Sequence, residues 1–252
     1  GDAIYGTSAN PFPYSFDWGS ITTKGQNLYL LFKTWPGTSF TLHGLRSRVQ
    51  KAYVLTDPGN LLDVTQSQND AADHDVLELS LPSNAPDENL SVVVLGLNGA
   101  PDVDPLSLQQ PNGSVTLIPS MAELHGPTTD GIAIAMTGMT RNWYQTDRSL
   151  GWQFKINKPG TFEVKVITGP SGFEGWKGGH RISVKVADAS LETEITPDEK
   201  IETVNTHYFP EFATKLGSVA IDSPGVYELR LDALDIDPEH RAGLVVESVT
   251  LT

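Results

Sequence analysis

Apolar and polar residues alternate with period two along most of the chain, and turn-forming residues break the alternation about every eight to twelve positions. Leu28, Leu30 and Phe32 share one face, bounded by Lys24-Gly25 and the Trp35-Pro36-Gly37 turn. Leu77, Leu79 and Leu81 repeat the pattern and stop at Pro82. Val92 to Leu95 is continuously apolar, as a strand covered on both faces is. From Asn98 to Gly113 the periodicity lapses among prolines and Asn-Gly pairs. It then resumes in Trp152/Phe154/Ile156, Phe162/Val164/Val166, Ile182/Val184/Val186 and Tyr227/Leu229/Leu231. Only Pro119 to His125 has room for a short helical turn. Short strands punctuated in this way predict an all-β chain of two antiparallel, jelly-roll-like β-sandwich domains in tandem. The expected boundaries are 1–98 for the first, 99–113 for a linker and 114–252 for the second.

Composition narrows what such domains bind. The chain has 252 residues, 38% hydrophobic and 19% charged, with a formal net charge of −14. That charge disfavours nucleic acid and anionic membranes, while a neutral sugar is indifferent to it. No apolar run approaches the roughly 18 residues of a spanning helix. Cysteine is absent, which removes disulfides, thiolate metal sites and cysteine nucleophiles. The first ten residues lack the basic and apolar regions of a signal peptide, and the chain does not start with Met, which reads as a processed or cut product.

Familiar catalytic patterns do not form. Gly169-Pro170-Ser171-Gly172 lacks the spacing of a nucleophile elbow. Gly175-Trp176-Lys177-Gly178-Gly179 lacks the order of a phosphate-binding loop. The acidic Asp235-Ile236-Asp237-Pro238-Glu239 run lacks the spacing of an EF-hand loop and reads as solvated. Six scattered histidines show no metal-ligand spacing and read as ordinary surface or half-buried residues.

Sugars present C–H faces that stack on flat aromatic rings, with polar groups beside them for the hydroxyls. Two loops offer that combination. One holds Arg141, Asn142, Trp143 and Tyr144; the other holds Trp176 and His180 in a glycine-rich stretch, and Tyr208 is placed to flank either. These seven residues are the candidate carbohydrate contacts, led by Trp176. Trp152 alternates with core positions and Trp18 and Trp35 belong to the first sandwich, so all three are expected to pack rather than bind.

The opening Gly1-Asp2-Ala3-Ile4-Tyr5-Gly6-Thr7 resembles a segment of glycoside hydrolase family 29 α-L-fucosidases, with Asp2 where Glu is usual. Trp18-Gly19, Thr23-Lys24-Gly25, Leu28-Tyr29-Leu30, Trp35-Pro36, Lys51 to Leu55 and Leu81-Pro82 continue that resemblance in order over residues 1–98. It implies a C-terminal sandwich entered through residues 1–17 from an upstream catalytic barrel. It also implies a bacterial, secreted or periplasmic enzyme acting on fucosylated glycans. The family's retaining mechanism needs two carboxyl groups about 5 Å apart, and in the family these lie in the barrel, so no catalytic residue is expected here.

Residues 114–252 resemble carbohydrate-binding jelly rolls through Ala122 to Gly126, Trp152, Pro159 to Phe162, Leu216-Gly217 and Pro224 to Tyr227. The reading requires no cofactor. The same resemblance raises a structural calcium held by Glu123 and Glu247. A free-standing carbohydrate-binding protein and a purely structural contact module are the rival expectations.

Overall fold

Alternation builds a sandwich because each strand buries one face and wets the other. The computed structural model describes all residues except 1, 2, 4, 70–73, 88, 128–130, 171–174 and 203–209. The chain divides into two units, Gly1–Pro111 and Asn112–Thr252.

The first unit contains β1 (Gly19–Lys24), β2 (Asn27–Phe32), β3 (Ser39–His43), β4 (Val49–Val54), β5 (Asp57–Leu61), β6 (Val64–Asn69), β7 (His74–Ser80), β8 (Ser91–Leu97) and the two-residue β9 (Ser107–Leu108). One sheet runs β1-β2-β8-β4-β5 and the other β3-β7-β6, all antiparallel. Leu28, Leu30, Phe32, Val93 and Leu95 from the first sheet meet Phe40, Leu42, Leu77 and Leu79 from the second in one core. Phe12, Phe16, Trp18, Phe32 and Phe40 continue this core as a chain of tilted and edge-to-face rings. The indole N–H of Trp35 donates to the Pro82 carbonyl at 2.9 Å. Strand β8 is covered on both faces, as its unbroken apolar run requires. Opposite the main core, Val94 packs with Tyr29, Leu31 and the buried Ala3. Ala3 is held there by the Thr22 hydroxyl, which donates to its carbonyl at 2.7 Å.

The stretch 99–113 reads as a linker in the sequence, but as far as Pro111 it is packed into this unit. Both Arg46 and Ser47 donate their backbone amides to the Asp102 carbonyl, Val103 bridges Leu45, and Leu108 is in the core. Its prolines remove periodicity without freeing the chain, because the neighbouring Arg46–Ser47 segment supplies the missing hydrogen-bond donors.

The second unit contains β10 (Val115–Leu117), a 3₁₀ turn at Pro119–Met121, β11 (Glu123–His125), β12 (Ala133–Ile134), β13 (Thr140–Arg141), β14 (Ser149–Ile156), β15 (Gly160–Thr168), β16 (Arg181–Val186), β17 (Ala189–Glu194), β18 (Glu199–Ile201), β19 (Glu211–Ile221), β20 (Gly225–Asp235) and β21 (Val246–Leu251). Its sheets run β10-β21-β15-β19-β18 and β11-β14-β20-β16-β17, with β12 and β13 as a small separate hairpin. The alternating positions named in the sequence converge: Trp152, Phe154, Ile156, Phe162, Val164, Val166, Ile182, Val184, Val186, Leu229 and Leu231 form one core, with Tyr227 against its edge. The indole of Trp152 is 3% exposed and donates to the Ile118 carbonyl at 2.8 Å. No helix among the described residues is long and apolar enough to cross a membrane.

Gly19 tests the close pairing at the edge of the first unit. A Cβ there would collide with the Leu31 carbonyl of the neighbouring strand. Gly19→Ala is expected to cost about 1–3 kcal/mol through forced separation of β1 and β2. Urea denaturation followed by tryptophan fluorescence reads this as a lower midpoint; an unchanged midpoint shows that the strands can part freely.

Candidate aromatic and histidine site

Three segments of the second unit run together at one end of its sandwich. The first is 140–145, entered through β13. There the Thr140 hydroxyl donates to the Leu244 carbonyl at 3.0 Å and accepts the Val246 amide at 2.7 Å. Asn142 then takes φ +61°, a left-handed conformation that asparagine tolerates better than most residues. That turn breaks the alternation and sends Trp143 inward. Trp143 is fully buried in the core, its indole N–H donating to the Gln145 carbonyl at 3.2 Å. The expectation that Trp143 contacts sugar is therefore corrected.

Tyr144 follows on the outside and is 50% exposed, with its hydroxyl donating to the Arg241 carbonyl at 2.8 Å. Arg141 and Asn142 beside it are exposed. Gly243, at φ +70°, bridges Trp143, and a Cβ there would strike the Trp143 carbonyl and the edge of the Tyr144 ring. Tyr144 is thus an aromatic ring clamped at its edge and its hydroxyl.

The second segment is 175–180. Trp176, the leading sequence candidate, is half-buried. Its N–H donates to the Thr168 hydroxyl at 2.8 Å, its ring lies 4.8 Å from that of Phe212, and it packs against the core. Its polar edge and one face are already committed, so it is not the open platform expected of it. The reason is that Thr168, at the end of β15, offers a buried hydroxyl within reach of the indole. His180 is 2% exposed and is likewise withdrawn from the surface. Tyr208 lies outside the described residues.

The third segment, 236–245, supplies residues that the sequence did not reveal. The His180 Nε2 and His240 Nδ1 atoms are 2.9 Å apart, and the Asp237 amide donates to His180 Nδ1 at 3.1 Å. Burial and the neighbouring His240 push the His180 pKa down to about 4. A small cavity beside this pair is lined by Thr168, Lys177, His180, His240 and Gly243. His180 and His240 are sixty residues apart, so no local spacing could have signalled them.

Glu123 and Glu247, paired in the sequence reading as calcium ligands, stand on different sheets. Glu123 is exposed on β11 beside His125. Glu247 sits at an irregularity where Ile167 faces Ser248 but Thr168 faces Val246. Burial and the carboxyl of Glu211 raise its pKa to about 7, and Glu247 Oε2 is buried without a hydrogen-bond partner among the described residues. A side-chain hydrogen bond with Glu211 also favours the protonated form of Glu247. Among the described residues no group of three or more His, Cys, Asp or Glu side chains is arranged to hold a metal ion.

Fold and site define a tandem β-sandwich protein with a clamped, half-exposed tyrosine at the loop end of its second sandwich. In structural comparison this chain superposes on the α-L-fucosidase from Vibrio sp. strain EJY3 with a TM-score of 0.75 at 19% identity, over 99% of this chain and 42% of that one. The two share a fold, and the chain spans less than half the length of that enzyme. The α-L-fucosidase isoenzyme 1 from Paenibacillus thiaminolyticus is 31% identical over 38% of this chain and 23% of its own, with a TM-score of 0.32. The GH26-CBM35 β-(1,4)-mannanase from Podospora anserina covers 55% of this chain and 27% of its own at 15% identity, with a TM-score of 0.35. No family model and no curated protein sequence matches the chain.

The two perturbed groups act in opposite directions with pH. His180 is held below its ordinary 6.5, so the unfolded state binds more protons and stability falls as pH drops from about 6.5 towards 4. Glu247 is held above its ordinary 4.5, so the folded state binds more protons and stability falls as pH rises from about 4.5 to 7. Glu247→Gln keeps a donor to Glu211 and removes the second effect. Thermal unfolding across pH 4.5–7.5 is expected to show wild type losing ground to this variant as pH rises; parallel curves contradict the shared proton.

Proposed function

We propose that this chain is the non-catalytic, C-terminal part of a bacterial, secreted or periplasmic α-L-fucosidase of the glycoside hydrolase family 29 type. In this reading the first sandwich braces an upstream catalytic barrel. The second holds glycan of the substrate on the Tyr144 ring, with Arg141 and Asn142 taking sugar hydroxyls. The observation that carries the proposal is the superposition of 99% of this chain on 42% of a fucosidase, which leaves the larger part of such an enzyme to supply the chemistry. The ordered motifs over 1–98 point the same way. Tyr144 is favoured over the tryptophans because its ring is half exposed and fixed in place before a ligand arrives, which reduces the ordering cost of binding.

A second reading, in which the second sandwich is a structural contact module without sugar affinity, is favoured by the withdrawal of Trp143 and Trp176 from the surface. Two measurements separate the readings. The chain alone is expected to leave an aryl α-L-fucoside intact, and the reading frame before Gly1 to encode a βα-repeat barrel; a frame beginning at Gly1 overturns the fucosidase assignment. On a glycan array the chain is expected to retain fucosylated glycans, and Tyr144→Ala to lose about tenfold or more in affinity, as loss of one stacked aromatic anchor costs 1–3 kcal/mol. An unchanged circular dichroism spectrum in that variant confines the loss to the ring, and absence of binding by wild type selects the structural reading.

A further inference from the structure

We propose that the His180–His240 pair is an acid-sensitive latch that holds the 236–243 loop closed beside Tyr144. The geometry assigns every proton in the pair. A backbone N–H can only donate, so the amide of Asp237 makes His180 Nδ1 an acceptor. His180 must then carry its proton on Nε2 and donate it to His240 Nδ1. His240 in turn carries its proton on Nε2, which faces the Asp237 carboxylate at 3.5 Å. Each lone pair of the two rings is thus in use within the closed loop, and both rings are neutral. An added proton has no vacant nitrogen: on His180 Nδ1 it opposes the Asp237 amide, and on His240 Nδ1 it opposes the His180 N–H. Either way one of the two hydrogen bonds tying the loop to residue 180 is lost.

The surroundings set the direction. On the loop itself, Asp237 faces the pair, and Asp235 at the end of β20 adds a more distant negative charge. Lys177 from the 175–180 segment lines the cavity beside the rings, together with the Thr168 hydroxyl, while the 243–245 stretch contributes only backbone and aliphatic groups. Both aspartates and the Gly243 backbone favour a charged His180, but burial and the second ring outweigh them. Opening the loop removes that burial and separates the rings, so the open form takes up the proton that the closed form refuses. The loop carries what anchors the aromatic ring, since the Arg241 carbonyl receives the Tyr144 hydroxyl and the Gly243 amide donates to the His240 carbonyl at 3.0 Å.

The latch stands without a sugar; its effect on glycan affinity rests on the reading of Tyr144 given above, and the test separates the two. Hydrogen exchange of the full chain, followed by mass spectrometry and corrected for intrinsic rates, is measured at pH 6.5, 5.5 and 4.5. Peptides spanning 236–245 are expected to lose protection by up to ~10-fold per pH unit, while peptides from β21 and β15 hold theirs. His180→Gln removes one of the two rings that can take the added proton and is expected to weaken the pH dependence of loop protection. Loop protection in wild type that is independent of pH, or that falls only together with β21 and β15, overturns the latch. Fucosylated-glycan affinity measured at the same pH values tests the other reading. A loop that opens in acid while no glycan binds at any pH leaves the latch standing and removes the sugar site.

Discussion

The loop end of the second sandwich depends on the absence of a side chain at position 243. There the chain passes so close to the Trp143 carbonyl and the Tyr144 ring that a Cβ has no space, and the left-handed turn at Gly243 suits glycine for a second reason. This contact lets two segments about a hundred residues apart run side by side. On the inner side it buries the largest fully enclosed side chain of the protein, Trp143. On the outer side it leaves Tyr144 half in solvent, fixed at both ends. The same crossing brings His240 to His180, because the Leu244 amide bonds the Trp143 carbonyl and the Gly243 amide bonds His240. Packing, the exposed ring and the histidine pair therefore lie around one close approach.

The strands were legible in the sequence because a half-buried strand writes its burial into alternate residues. Leu28/Leu30/Phe32 and Trp152/Phe154/Ile156 reach the cores that their spacing specifies. The run at Val92–Leu95 was legible as covered on both faces for the same reason, and the second face is closed by Ala3 and its neighbours. The stretch up to Pro111 leaves no such signal in the sequence, because its hydrogen bonds go to distant backbone groups and produce no periodicity. The aromatic candidates failed differently. Composition singles out loops by their residue types, but the direction of each ring is set by single backbone and side-chain events: the turn at Asn142, the Thr168 hydroxyl beneath Trp176, and Gly243 beneath Tyr144. Of the candidate contacts among the described residues, Tyr144, Arg141 and Asn142 are the exposed ones.

His180–His240 and Glu211–Glu247 escaped the sequence because each joins residues from elements far apart in the chain. They are also alike in physics. Each places two groups of one kind where only one charge state fits, the rings both neutral and the carboxyls sharing one proton. Their pH dependences oppose each other across the range between the ordinary carboxylate and imidazole values, so a global stability curve partly conceals both. Local measurement is needed to see either.

An aromatic ring that binds sugar by stacking contributes most when it is held still and left uncovered. Buried tryptophans meet the first condition and fail the second, and a free loop tyrosine fails the first. Tyr144 meets both only while the Arg241 carbonyl stays in place, and that carbonyl sits on the loop that His180 and His240 tie down. The ring's usefulness is therefore linked to the protonation state of residues it does not touch. On the proposed sugar-binding reading, a substitution at His180 acts on affinity through the order of the loop, whereas one at Tyr144 acts through lost contact.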